Sequence, residues 1–227
     1  MNIYWVKRET ADVPVNDDWL HPSEKEVYST FRFPKKQSDW KLGRWTAKCA
    51  LSHLLAPKYA DLNLNDISIT NTKDGAPEAF CNDSLLPISI SLSHSHSLGF
   101  CVVCDHPIQL GCDLELMESR SDLFINDYFN PTERAIIRKG SAQHPKLWAT
   151  LLWSAKESTL KALKTGLKID TRLINIQEVS NGNDHWNPFK AFSSEQEAGF
   201  YGFWKQDQRF VYTIVSNEED VQLIAIV

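Results

Sequence analysis

Five residues of this chain are spaced so that they could hold a divalent cation beside a phosphate: Asp113, Glu115, Lys156, Glu157 and Lys161. The run Leu110-Gly111-Cys112-Asp113-Leu114-Glu115-Leu116 reads as a strand. Leu110, Cys112, Leu114 and Leu116 fall on one face, and Asp113 and Glu115 fall together on the other, about 7 Å apart. The run Trp153-Ser154-Ala155-Lys156-Glu157-Ser158-Thr159-Leu160-Lys161 reads as a helix. Trp153, Lys156, Glu157, Leu160, Lys161 and Lys164 are expected along one side. Three carboxylates suit Mg²⁺, which takes oxygen ligands in near-octahedral geometry and shares its shell with substrate phosphates and water. Lysines beside them can neutralise phosphate as compact point charges. Taken singly, such acids also occur as the solvated face of a strand, and such lysines as solvated helix positions. Here the strand is otherwise apolar, and the helix mixes Trp, Leu and charge on one side instead of segregating them.

Two further stretches carry polar or basic residues beside predicted elements. Ser93-His94-Ser95-His96 follows the alternating strand Ile88-Ser89-Ile90-Ser91-Leu92, and a surface turn and a His-x-His metal contact both fit it. Gly43-Arg44-Trp45-Thr46-Ala47-Lys48 lies on a helix expected from about Ser38 to Leu55. Cys101-Val102-Val103-Cys104 has C-x-x-C spacing but sits in an apolar strand, and it reads as core. No Walker-type or G-x-G-x-x-G run is present, so a P-loop or dinucleotide fold is not expected.

The elements that must position these residues follow from the pattern of the whole chain. At 227 residues and 42% hydrophobic, with eight Trp and eleven Phe, it can build a sizeable core. A net charge of −5 argues against a general nucleic-acid binder, and no apolar run approaches a membrane span. Five scattered cysteines read as reduced thiols of a cytoplasmic protein. Strands are expected at 2–8, 67–69, 88–92, 98–104 and 110–116, and again near 168–178, 199–205, 209–215 and 221–227. Short helices start at Pro22 and Pro131, the second N-capped by Asn130 and ending at Gly140. A long helix is expected from about Pro145 to Leu163, with Gly166 just beyond. Phe31-Arg32-Phe33-Pro34-Lys35-Lys36 reads as a basic, aromatic connector.

The two halves echo one another. Pro22-Ser23-Glu24 and Pro131-Thr132-Glu133 are offset by 109, and Trp45-Thr46-Ala47-Lys48 and Trp153-Ser154-Ala155-Lys156 by 108. The fold class expected is α+β, as two pseudo-symmetric modules at 1–107 and 108–227, each of antiparallel strands packed on a long helix. Where the second copy has Asp113, Glu115 and Glu157, the first has Trp5, Lys7 and Cys49, so a metal site could be built only once.

The two signatures Gly111-Cys112-Asp113-Leu114-Glu115 and Trp153 to Lys161 together resemble the G-x-D-x-E and W-x-x-K-E-x-x-x-K motifs of the Sfp-type 4'-phosphopantetheinyl transferases. The resemblance runs from about Pro22 to Gly166. It implies a pseudo-dimeric chain with one active site, Mg²⁺ held by Asp113, Glu115 and Glu157, and Glu157 as general base, helped by Lys156 and Lys161; beside a cation that carboxylate keeps a low pKa and must act by position more than basicity. It implies coenzyme A contacts from Ser93 and His94, from Lys48 where the family carries arginine, and from Lys73 and Gly75 in Lys73-Asp74-Gly75-Ala76-Pro77, a variant of the family's G-K-P turn. The activity implied is transfer of the 4'-phosphopantetheine arm of coenzyme A to a serine of an acyl or peptidyl carrier protein, with release of 3',5'-ADP, by a cytoplasmic monomer. Arg32, Lys35 and Lys36 would then suit an acidic carrier as a docking surface. Two alternatives are a Mg²⁺-dependent nucleotide pyrophosphate hydrolase and an inactive carrier-binding subunit.

Overall fold

The first strand, β1 (Asn2–Glu9), buries Ile3 and Val6 on its two opposite faces with Tyr4 and Trp5 half-buried between them, and begins a chain of mixed helices and strands. The computed structural model describes all residues except 60, 166–168, 181, 183, 184 and 227. The expected Gly166 cap, the start of a strand at Lys168 and the end of one at Val227 lie outside the described residues.

After β1 come α1 (Pro22–Ser29) and α2 (Pro34–Leu55), both with Pro in the first turn, where a missing N–H costs nothing. Helix α2 thus takes up Pro34, Lys35 and Lys36, which the sequence pattern assigns to a connector. Next are β2 (Ile67–Asn71), β3 (Pro77–Cys81), β4 (Ser84–Leu85), β5 (Ser89–Ser95) and β6 (Leu98–Cys104). The second half holds β7 (Leu110–Leu116), α3 (Asp122–Tyr128), α4 (Pro131–Ser141), α5 (Leu147–Ala162), β8 (Ile174–Gln177), β9 (Asn187–Ser193), β10 (Ala198–Asp207), β11 (Phe210–Ser216) and β12 (Gln222–Ala225). No helix among the described residues is long and apolar enough to cross a membrane.

The chain divides into two units, Met1–Ile108 with Asp220–Val227, and Gln109–Glu219. The sequence-based division left 220–227 with the second module. The structure moves it to the first, because β12 pairs in parallel with β1, Asn2 opposite Gln222 through Trp5 opposite Ala225. The first unit has a four-stranded sheet, β12-β1-β6-β5, and a small sheet, β2-β3-β4. Its core gathers Val6, Ala47, Leu51, Ile69, Cys101 and Val103. The five cysteines form no disulfide. The second unit has one five-stranded sheet, β7-β11-β10-β9-β8. Leu151 and Ala155 of α5 meet Phe189, Trp204, Val211 and Val215 of that sheet in its core.

Candidate metal and phosphate site

Gly111 determines how closely α5 lies on β7. A Cβ there would stand 1.8 Å from the Ser158 carbonyl oxygen and 2.7 Å from the Ala162 nitrogen, so only glycine admits the helix at this distance. Residues two and four positions on share that face of the strand. They are Asp113 and Glu115, and the helix stripe they meet is Trp153, Glu157 and Lys161, spaced i, i+4, i+8.

The contacts are direct. Lys161 Nζ pairs with Asp113 Oδ1 at 2.8 Å. Trp153 Nε1 donates to Glu115 Oε1 at 3.1 Å, and Arg120 donates to Glu115 Oε2 at 3.2 Å while its other nitrogen pairs with Glu118 at 2.9 Å. Thr213, opposite Asp113 in the ladder, donates to the Ser154 carbonyl at 3.0 Å and ties β11 to the same helix. Glu157 Oε1 is buried without a hydrogen-bond partner.

The electrostatics follow from this crowding. Burial, reinforced by the charges of Asp113 and Glu115 and opposed by Lys161, pushes the Glu157 carboxyl up to about 7. The low pKa expected of Glu157 is that of a carboxylate beside a cation; without one, the protein's own groups raise it. Burial and then Asp113 also raise Glu115, against Arg120, the Trp153 hydrogen bond and Lys161. Burial works against the Lys161 ammonium, but Asp113, Cys112 and Glu157 outweigh it and hold its pKa up.

This donor set fits a hard divalent cation. It is all oxygen, partly desolvated, repels itself, and includes a buried carboxylate oxygen with no partner, whose cost a cation would remove. The three acids are not drawn into a tight cluster. Among the described residues, the group with ligand atoms all within 4.8 Å of one another is Cys104, Asp105 and His106. A cavity of about 940 Å³ is lined by residues that include Trp148, Trp204, Lys139 and His144, and none of the three acids borders it.

Two lysines are corrected. Lys156 does not share the stripe of Glu157 and Lys161. It is fully buried, and its Nζ meets Glu133 at 2.8 Å and the carbonyls of Thr171 and Ile174 at 2.7 and 2.6 Å. An ammonium has three protons, so none is left for a phosphate. Lys48 is withdrawn on the same ground. It is fully buried against Glu24 at 2.6 Å and the carbonyls of Trp19 and Leu64, both at 2.9 Å.

The remaining expected contacts fall in the first unit. His94 is exposed on β5 and borders a groove of about 450 Å³ with Phe33, Lys35, Lys36, Asp39 and Trp40. Ser93 is half-buried beside it in the strand. Lys73 and Gly75 are exposed in the tight turn between β2 and β3, where Gly75 has φ +87° and Ala76 N–H bonds Thr72 Oγ1. They do not line the His94 groove. Sequence reasoning missed Arg120 and Glu133. Arg120 stands five residues past Glu115 in a loop, with no motif to flag it. Glu133 was legible, as the acid three residues after the Asn130 cap.

A mixed α+β unit thus brings three acids and a lysine together from one strand and one helix. Residues 109–215 match the family model of the 4'-phosphopantetheinyl transferase superfamily (ACPS), a stretch that runs from β7 into β11 and contains every one of those groups. None of the curated proteins compared matches the chain.

Proposed function

We propose that this protein is an Sfp-type transferase that moves the 4'-phosphopantetheine arm of coenzyme A onto a carrier-protein serine. The family match over residues 109–215 supports phosphopantetheine transfer. The observation that carries the finer reading is the convergence of Glu157 and Lys161 on Asp113 and Glu115, with a buried carboxylate oxygen left over. Asp113, Glu115 and Glu157 would hold Mg²⁺, which when bound polarises the pyrophosphate and offsets its negative charge.

The chain's own residues have distinct tasks. Lys161, half-exposed and held charged, neutralises phosphate oxygens. Glu157 takes the proton of the attacking serine, relying on its position, since a cation beside it would hold its carboxyl in the charged form. The serine Oγ–phosphorus bond forms at the β-phosphate, and the bond to 3',5'-ADP breaks. Positioning and charge neutralisation suffice for such a step. In the first unit, His94 with Lys35 and Lys36 takes a coenzyme A phosphate in place of Lys48. Trp40 and Phe33 supply flat apolar surface beside it. Ser93 and the Lys73–Gly75 turn keep their expected coenzyme A contacts. The protein acts as a cytoplasmic monomer.

The test is incubation with coenzyme A, Mg²⁺ and an apo-carrier. A carrier mass increased by one phosphopantetheine arm supports transfer. Release of 3',5'-ADP with an unchanged carrier would show hydrolysis instead, and carrier binding without turnover would show an inactive subunit.

A further inference from the structure

Lys156 immediately precedes the acid on which the proposed reaction depends, yet its side chain points away from the reacting groups. Its ammonium joins four segments of the second unit at one point. Glu133, at the start of α4, accepts from Lys156 through Oε2 and from the Ile176 N–H of β8 through Oε1 at 2.9 Å. The same carboxylate accepts the Asn130 N–H at 3.0 Å. The Thr171 and Ile174 carbonyls complete the ammonium's shell. Burial pushes the Lys156 pKa down and the Glu133 pKa up, against the pull of each on the other.

Successive helix residues are turned by roughly 100°. Fixing Lys156 toward α4 and β8 therefore fixes the direction of Glu157, and one turn later that of Lys161. On the other side the bare backbone of Gly111 lets α5 seat against β7. The helix is held from two directions, with the acid between them.

The first unit repeats the clamp without the chemistry. Glu24 accepts from Lys48 and, at 3.1 Å, from the Ile69 N–H. Lys48 also bonds two carbonyls, and each lysine lies over an aromatic ring, Trp19 or Phe129. The residue after Lys48 is Cys49.

We infer that Lys156 is a positioning residue: through its clamp on Glu133 it sets the rotation of α5 that brings Glu157 to Asp113 and Glu115. This rests on the reading of those acids as a metal site. The test compares two double variants, Lys156→Met with Glu133→Gln, and Lys48→Met with Glu24→Gln, each removing both charges of one clamp so that no buried ion is left alone. Binding of Mn²⁺ is read by the loss of the free-ion electron paramagnetic resonance signal, with circular dichroism confirming the fold. The Lys156/Glu133 variant should bind Mn²⁺ about 10- to 100-fold more weakly, as loss of a supporting shell does. The Lys48/Glu24 variant should bind it as the parent does. Should the first variant fail to fold, Glu133→Asp, which keeps the charge and shortens its reach, should weaken Mn²⁺ in the same direction. Unchanged Mn²⁺ affinity in a folded Lys156/Glu133 or Glu133→Asp protein overturns the inference, as does equal weakening in both double variants. Failure of the parent itself to bind Mn²⁺ overturns instead the metal-site reading.

Discussion

The two long helices are anchored alike and equipped differently. Each sends a lysine, Lys48 or Lys156, to a glutamate at the third position of the preceding helix and to two carbonyls. Three residues earlier each has a tryptophan. Trp153 donates its indole N–H to Glu115, whereas the buried Trp45 nitrogen has no hydrogen-bond partner. The matching strand position in the first unit is Lys7, 115 − 108, so no carboxylate stands there. Eight residues past the tryptophan the second unit has Lys161 on Asp113, and the first has His53 with its ring tilted against that of Tyr4, centroids 5.4 Å apart. Both units have the lysine–glutamate anchor, and the second alone sets carboxylates beside its long helix.

That division can be broken by substitution at matched positions. Glu157→Gln should lower transfer by about 10²–10³-fold, the loss typical of removing one group that meets transition-state charge. Cys49→Ser, at its counterpart, should leave the rate at the parental value. Equal losses, measured by carrier mass spectrometry, would erase the distinction.

The scaffold half of the comparison predicts symmetry instead. Lys48→Met and Lys156→Met each strand a buried glutamate, and each should cost ~3–5 kcal/mol in urea unfolding. Pairing either with its Glu→Gln partner should recover most of the loss. An effect confined to one unit would mean the clamps are not equivalent.

A smaller loss is expected at the seat of α5. Gly111→Ala must push the Ser158 backbone aside, and ~1–3 kcal/mol is the usual range for such overpacking. Because the shift moves Glu157 away from Asp113, Mg²⁺ protection against thermal unfolding should weaken along with stability. A drop in stability alone would show that the strand-to-helix distance matters for packing only.

Much of this was legible because it repeats at fixed spacing. Periods of two and four put Asp113 and Glu115 on one strand face and Glu157 and Lys161 on one helix stripe, while the expectation that strand and helix meet came from the paired motifs. Helix α3 escaped detection despite its Ser121 cap, because seven residues give too short a pattern. Strand β9 carries Pro188 near its start, which counts against a strand by composition. The roles of Lys48 and Lys156 were not legible, since a lysine is usually solvated and only tertiary contact shows it buried on a glutamate a helix away. The groove of His94 with Lys35 and Lys36 was hidden for the same reason, as β5 and the start of α2 are far apart in the chain.

The subtlest difference between the units is in their pH response. Glu157 is held near 7 against an ordinary 4.5, so the folded protein binds its proton more tightly than the unfolded chain. Its contribution to stability is complete below pH 4.5 and is lost as pH rises through 7. The matching group in the first unit is the Cys49 thiol, raised by burial from a value already near 9, and it contributes no slope in that window. With chelator present, melting temperature should therefore fall between pH 5 and 8 more steeply in the parent than in Glu157→Gln, while Cys49→Ser should follow the parent. Mg²⁺ added at pH 8 should restore the parent, because a cation takes the place of the proton and stabilises whatever binds it only when folded. It should do so far less for Glu157→Gln. Parallel curves for parent and variant would mean that the Glu157 carboxyl is solvated like any surface glutamate, and the contrast between the two units would then be one of sequence without a difference in charge.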